Sequence, residues 1–413
     1  MLCISLRSSL LLSLLSYQVL AHPFERAASG PLKVRLTERS ENGPVIAENF
    51  PDPSIVRIRT GWYAFATNSV ENGEAINVPV ASSPDFVTWT LLEGVDALPS
   101  PPAWVNMTSP NAWAPDVNEL VCPVPGYHRN PPSLTNEQDD GTFVMYFSAT
   151  VNNNYLHHCV GAATSRNIEG PYTPQPEPLF CPLDQGGAID AAGFKDWSVK
   201  GNWSMPWGGG WRYGDRDHVV NHSAGDGYGA SDDRSWTNPE WCQGGRGGQR
   251  YVTYKVDGNS IGHGDVPGAG HCGNTVAPIV PTPLVLQAVG ADGVTLQGEP
   301  VVLLDNNGPA DNGVVEAPSL VKNDDGTYVL FFSSNCFDSG LYNVNYATAP
   351  AITGPYTRHG PLFTSGDFGL VAPGGADVLW DARHMLFHAD YPDVGTRALY
   401  TAIIDIEGNT VTA

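Results

Sequence analysis

The chain has 413 residues, 43 acidic against 21 basic, and a formal net charge of −22, which excludes nucleic acid as a partner because phosphate would be repelled. Charged residues make up only 15% of the chain and aromatic ones 10%, which excludes both helical bundles, rich in Glu and Lys, and intrinsic disorder, poor in aromatics. The 45 Gly and 35 Pro, set among those aromatics, predict an all-β protein of many short strands.

At the N-terminus Arg7 precedes the apolar run Leu10 to Leu15, and Val19-Leu20-Ala21 ends it in small-residue fashion. This pattern predicts a signal peptide over 1–21, too short to span a bilayer, followed by a lead-in segment over 22–44. The expected mature protein is secreted, extracellular, soluble, free of membrane contact and monomeric. Cleavage removes Cys3 and leaves Cys122, Cys159, Cys181, Cys242, Cys272 and Cys336. An even set in a secreted chain implies disulfides, with the pairing left open. Sequons at Asn106, Asn202 and Asn221 fit a glycoprotein.

From residue 45 to 413 a pattern recurs: an acidic residue, often beside Pro or a small residue, opens a β-rich run. The copies are Asp52-Pro53-Ser54, Pro115-Asp116-Val117, Ile189-Asp190-Ala191, Glu316-Ala317-Pro318 and Ala376-Asp377-Val378. Each leads to an apolar partner run, as in Phe143–Phe147 and Tyr328–Phe332. Gly170-Pro171-Tyr172-Thr173 and Gly354-Pro355-Tyr356-Thr357 repeat as well, and are read as lying between units. The Asp-Gly steps at 140–141 and 325–326 signal hairpins. The interval after Asp190 is about twice the others and holds a Gly- and Trp-rich insertion, about 195–249. Five such units predict a single-domain, five-bladed β-propeller with the insertion in blade three. The opening acids would then line one pocket, where neighbouring carboxylates raise each other's pKa and some stay protonated. Ionised and protonated carboxyls together are the equipment of a glycosidase.

The motifs resemble glycoside hydrolase family 43, the five-bladed propellers acting on arabinan and xylan. Phe50-Pro51-Asp52-Pro53-Ser54-Ile55 resembles its general-base motif, Gly187-Ala188-Ile189-Asp190 the segment of its pKa-modulating Asp, and Val315-Glu316-Ala317-Pro318 its general-acid motif. Trp113-Ala114-Pro115-Asp116 is similar to the tryptophan-acid motif of its second blade. After Asp190 the chain departs from the family, with Ala191 where a Pro is usual and Asp196 as a nearby rival acid. The resemblance implies inverting hydrolysis. Asp52 is the base, Glu316 the acid, and Asp190 holds the acid's proton. Trp113 and Phe50 are expected as sugar platforms, with Asp116 and His388 also touching substrate. His388 further suggests a hydrated cation, a structural calcium in the channel, while no cofactor is required for catalysis.

The implied activity is cleavage of α-L-arabinofuranosidic bonds in plant polysaccharide. The alternatives are a β-xylosidase on the same scaffold and a propeller that binds glycans without hydrolysing them. Gly258-Asn259-Ser260-Ile261-Gly262 matches a serine-hydrolase pattern, but no helix follows to form the required elbow. His263, His271 and Cys272 suggest zinc only if Cys272 is reduced, and it is expected to be oxidised. His157 and His158 are placed on a strand, with one ring available to face substrate.

Overall fold

Short β-rich runs separated by Gly, Pro and Asp turns leave each sheet with two apolar faces and an unpaired edge. Packing the sheets face to face in a ring buries those faces. The computed structural model describes residues 43–71, 73–106, 111–120, 142–152, 154–196, 248–263, 270–391 and 397–413. The signal-peptide and lead-in predictions through residue 42 lie outside these residues. So do Cys122, Cys242, the Asp140-Gly141 turn, the sequons at 202 and 221, and residues 197–247 of the insertion.

The protein is an all-β, five-bladed propeller. Blade one consists of Ser54–Ile58, Gly61–Phe65, Pro79–Ser83 and Thr90–Asp96. Blade two is Trp113–Glu119, Phe143–Val151, Asn154–Ser165 and Thr173–Pro174, and blade three is Ala188–Asp196, Gln249–Val256, Leu284–Val289 and Leu296–Leu304. Blade four is Val315–Lys322, Tyr328–Ser334, Asn343–Ala349 and Thr357–Phe363. Blade five has three strands, Gly374–Val378, His384–Asp390 and Arg397–Ile403. Within each blade, successive strands are antiparallel neighbours. In blade four the second strand is buried throughout, whereas the outermost is largely exposed.

The ring closes with the two ends of the described chain together. Val45 N–H donates to Leu399 O at 2.8 Å, Leu399 N–H to Ile46 O at 3.0 Å, and Phe50 N–H to Arg397 O at 2.7 Å. This partial fourth strand covers the edge of blade five and delivers Asp52 beside Arg397. Five apolar clusters fill the gaps between blades: Val321, Phe331 and Phe387 between four and five, Ile55, Trp62 and Leu386 between five and one, and equivalents elsewhere.

Asp196 pairs with Gln249, so the insertion leaves blade three at the far end of its first hairpin. The two Gly-Pro-Tyr-Thr copies do not separate blades, as read from sequence. Each joins the third and fourth strands of one blade, with Gly170 and Gly354 both at φ +87°. Cys159 is bonded to Cys181 and Cys272 to Cys336.

Candidate active site

Near the start of each inner strand the chain takes the same step. Asp52, Ala114, Asp190, Ala317 and Gly375 have φ of 50, 41, 56, 50 and 56°, in the left-handed region. In blades two to five the ladder register shifts there, forming a bulge. A left-handed residue in a bulge turns its N–H out of the ladder, and the neighbouring blade captures it. Ala114 N–H donates to Thr67 Oγ1, Asp190 N–H to Ser148 Oγ and Gly375 N–H to Ser333 Oγ, each at 2.9 Å, and Asp52 N–H donates to His388 Nδ1 at 3.0 Å.

This register corrects the expectation that five equivalent acids surround one pocket. Asp52 and Asp190 occupy the left-handed position, Glu316 stands one residue before it, and Asp116 and Asp377 stand two residues after it. The first three border a cleft of about 580 Å³. The other two face a narrow axial channel of about 40 Å³ below it.

Asp52 accepts from Arg397 Nη1 at 3.0 Å through Oδ1 and from Thr67 Oγ1 at 2.6 Å through Oδ2. Burial works against its charge, but the Arg397 guanidinium and the Thr67 hydroxyl outweigh it, holding the carboxyl below the usual range. Its oxygens are therefore a base through neutral pH.

Across the cleft, Asp190 and Glu316 belong to adjacent blades. Asp190 Oδ2 accepts from Ala317 N–H at 2.9 Å. Burial first, and then the Glu316 carboxyl, push Asp190 up to about 8, so this pair retains a proton at neutral pH. Glu316 is 7% exposed. Tyr342 Oη donates to its Oε1 at 2.9 Å and Lys255 Nζ to its Oε2 at 3.1 Å. Lys255 also contacts Asp257 Oδ1 at 3.1 Å, and Asp257 Oδ2 lies 2.6 Å from His158 Nδ1.

Among the residues chosen from sequence, Asp52, Asp190, Glu316 and Trp113 meet in the cleft. The Trp113 indole is fixed by Nε1–H donating to Asn111 Oδ1 at 2.8 Å, and it meets the His158 ring edge-on at 4.6 Å. Phe50 does not reach the cleft. It is 1% exposed, in the apolar cluster between blades five and one, because Phe50 N–H anchors the closing strand. Asp116 is likewise no sugar contact. It accepts from Gly193 N–H at 2.9 Å and from Asn118, joining blades two and three in the channel wall. His388 is fully buried beneath Asp52 and stacked on Tyr342. Asp196 takes the Tyr328 hydroxyl and the Lys322 ammonium at the strand's other end, outside the cleft. Ser260 borders the cleft from a 3-10 turn, donating to Gly186 O at 2.7 Å, so its hydroxyl is not placed as a nucleophile.

His388 does not fit a cation. Its Nδ1 lone pair takes the Asp52 N–H, so the neutral ring carries its proton on Nε2, which is buried without a partner. Burial, and then Arg397, keep the ring neutral, down to about 3. A buried N–H has no lone pair for a metal and cannot accept the outward-pointing protons of a hydrated one.

Lys255, Asp257, Tyr342, Arg397 and Thr67 were not singled out from sequence. One signal was present. A polar residue follows an aromatic on each second strand of blades two to five: Phe147-Ser148, Tyr254-Lys255, Phe332-Ser333 and Phe387-His388. Each of these polar residues pairs with the residue just before the left-handed step.

A cleft that sets a hydrogen-bonded, ionised carboxylate against a proton-holding carboxyl pair, beside a tryptophan face, is the site of a sugar-cleaving propeller. The comparisons agree. The family model for glycosyl hydrolases family 43 matches residues 42–241, and the chain belongs to that family. Among solved structures, a thermostable family-43 glycoside hydrolase shares 18% identity and a TM-score of 0.58, over 88% of this chain and 92% of its own. An endo-1,4-β-xylanase from Bacteroides thetaiotaomicron shares 19% identity and a TM-score of 0.53, over 90% and 95%. An endo-arabinase from the same organism shares 15% and 0.53, over 89% and 98%. No curated protein matches the chain.

Proposed function

We propose that this glycoside hydrolase is a secreted, extracellular enzyme that cleaves α-L-arabinofuranosidic bonds in arabinan or arabinoxylan with inversion. The observation that carries the reading is the charge asymmetry of the cleft. Asp52 is held ionised by Arg397 and Thr67, and the Asp190–Glu316 pair is held with a proton. Glu316 gives that proton to the leaving glycosidic oxygen, and Asp52 takes one from the attacking water on the opposite face. Asp52 is on blade one and Glu316 on blade four, which are not neighbours in a five-membered ring. That spacing suits an inverting pair, which leaves room for the water. Trp113 offers an apolar face to the furanose ring. The disulfides and the N-terminal leader read from sequence support export.

The test is colour release from nitrophenyl α-L-arabinofuranoside and nitrophenyl β-D-xyloside, with NMR of the first-formed anomer. Release of arabinose with inverted configuration is expected, and Glu316→Gln should lower kcat on arabinan by ~10²–10⁴-fold. Cleavage of the xyloside alone would replace the substrate by xylan. Wild-type rates in Glu316→Gln on polysaccharide would remove the acid assignment, and a retained configuration would remove the water between the carboxyls.

A further inference from the structure

Four of the five blades place a hydrogen-bond acceptor where the neighbour's turned-out N–H arrives: Thr67, Ser148, Ser333 and His388. Blade three places Lys255 at the equivalent point, paired with Ile189. An ammonium has three donors and no acceptor, so it cannot do this work. Asp190 takes the Ala317 N–H instead. The ring is thus complete without Lys255, yet the chain buries a full charge there, 1% exposed. A buried ammonium is expensive unless paired, and both of its partners, Asp257 and Glu316, stand at 3.1 Å.

We propose that Lys255 is a positioning residue for the general acid, which aims Glu316 through Oε2 and stabilises its carboxylate once the proton has left. This rests on the acid role given to Glu316 above. Before donation, Asp190 and Lys255 act on Glu316 in opposite senses, one favouring the proton and the other its release. After donation the glycosidic oxygen holds the proton, and the new carboxylate lies against Lys255 and the Tyr342 hydroxyl. Asp257 shares the ammonium and prevents it from ionising Glu316 prematurely, and His158 anchors Asp257 from the cleft wall. The charged and titratable groups facing this centre are Asp190, Asp257, Glu316 and Tyr342, with His158 behind Asp257 and Asp52 across the cleft. Burial opposes the Lys255 charge, but Asp257, Glu316 and Asp190 hold its pKa above the ordinary value. Burial also opposes the Asp257 charge, and Lys255 and His158 bring it down to about 2.

The experiment measures kcat/KM against pH for Lys255→Met and Asp257→Asn, with arabinan and with the activated nitrophenyl glycoside. Loss of the cation should move the alkaline limb up by about 1 pH unit, and loss of Asp257 should move it down. Lys255→Met should lose ~10²-fold on arabinan and far less on the nitrophenyl substrate, whose leaving group needs little protonation. In a Glu316→Gln background, Lys255→Met should cost nothing further. An unmoved alkaline limb, equal losses on both substrates, or additive losses in the double variant would overturn the proposal. If Lys255→Met fails to fold, the sign of the Asp257→Asn shift decides alone. Absence of glycosidase activity in the wild type would instead sink the function on which the proposal rests, so the two failures are distinct.

Discussion

The five inner strands line two spaces, and the acids in them behave differently. In the cleft, Asp52 stands against Arg397, and Glu316 against Lys255, so burial is countered by cations. In the axial channel, Asp116 and Asp377 have no cation among the described lining residues. Burial, and then Asp377, push Asp116 well above the carboxylate range, and burial pushes Asp377 up to about 6. These two acids join blades instead. Asp377 accepts from Ile55 N–H at 2.8 Å and Ser319 Oγ at 2.7 Å, and Asp116 accepts from Gly193 N–H at 2.9 Å. A carboxylate on an inner strand is therefore chemical or structural according to its offset from the left-handed residue and the cation it meets, not according to its presence in the repeat.

The sharpest way to break that contrast is to take the cation from Asp52. Arg397→Met should raise the pKa of Asp52 toward that of a buried, unpaired carboxyl, moving the acidic limb of kcat/KM up by about 1 pH unit or more. The loss should be largest at low pH, about 10²-fold at pH 5, and smaller at pH 7, where Asp52 is again ionised. Arg397 also lies over the Phe337 ring at 5.2 Å, so Arg397→Lys, which keeps the charge, separates the contributions. An acidic limb that stays in place in Arg397→Met would show that Thr67 alone holds Asp52 ionised.

A smaller effect is expected at the cleft wall. The Cys272–Cys336 bond spans 64 residues of sequence and ties the segment around His271 to the one carrying Phe337, both bordering the cleft. The catalytic carboxyls stand on or just before strands, independent of that tie. Replacing both cysteines by Ser should therefore raise KM several-fold with kcat nearly unchanged, and lower stability by up to about 4 kcal/mol on loop-closure grounds. A fall in kcat with KM unchanged would mean that the disulfide positions the acids rather than the wall.

The fold and the three acids were legible because they follow the repeat: a propeller writes its blade into the sequence as often as it has blades. Cys272 as an oxidised residue and His158 as a cleft-facing ring were legible on strand and compartment logic. The functional offset was not, because a one- or two-residue shift relative to the left-handed step moves a carboxyl from cleft to channel, and φ is not written in composition. Ala114 and Ala317 occupy that conformation, which normally favours Gly, and so gave no signal. Phe50 was misplaced for a related reason. An aromatic beside a catalytic motif reads as a sugar platform, but ring closure turns it inward against Ile46, Ile55 and Leu399. Lys255 and Arg397 lie 65 and 345 residues from Asp190 and Asp52, and only the circular arrangement brings them together.

The least effect should come from the channel, where the contrast can be read in stability rather than rate. Asp377 is raised from 3.8 to about 6, so between these pH values the folded state binds more protons than the unfolded one. Stability from this group is present at low pH and falls as pH rises through about 6. Asp116, raised further by burial and by Asp377, extends the decline in the same direction. Both hydrogen bonds to Asp116 fall on Oδ1, so Asp116→Asn keeps them and replaces the other oxygen by a neutral amide facing the channel. The variant should melt a few degrees above wild type at pH 8, with the gap closing toward pH 4, where both acids are protonated in the folded protein. Turnover should be nearly unchanged, since the cleft acids keep their cations. Equal melting temperatures at pH 8 would mean that the channel acids are already compensated. A large loss of kcat would mean that the two spaces are coupled and that Asp116 acts on the site above it.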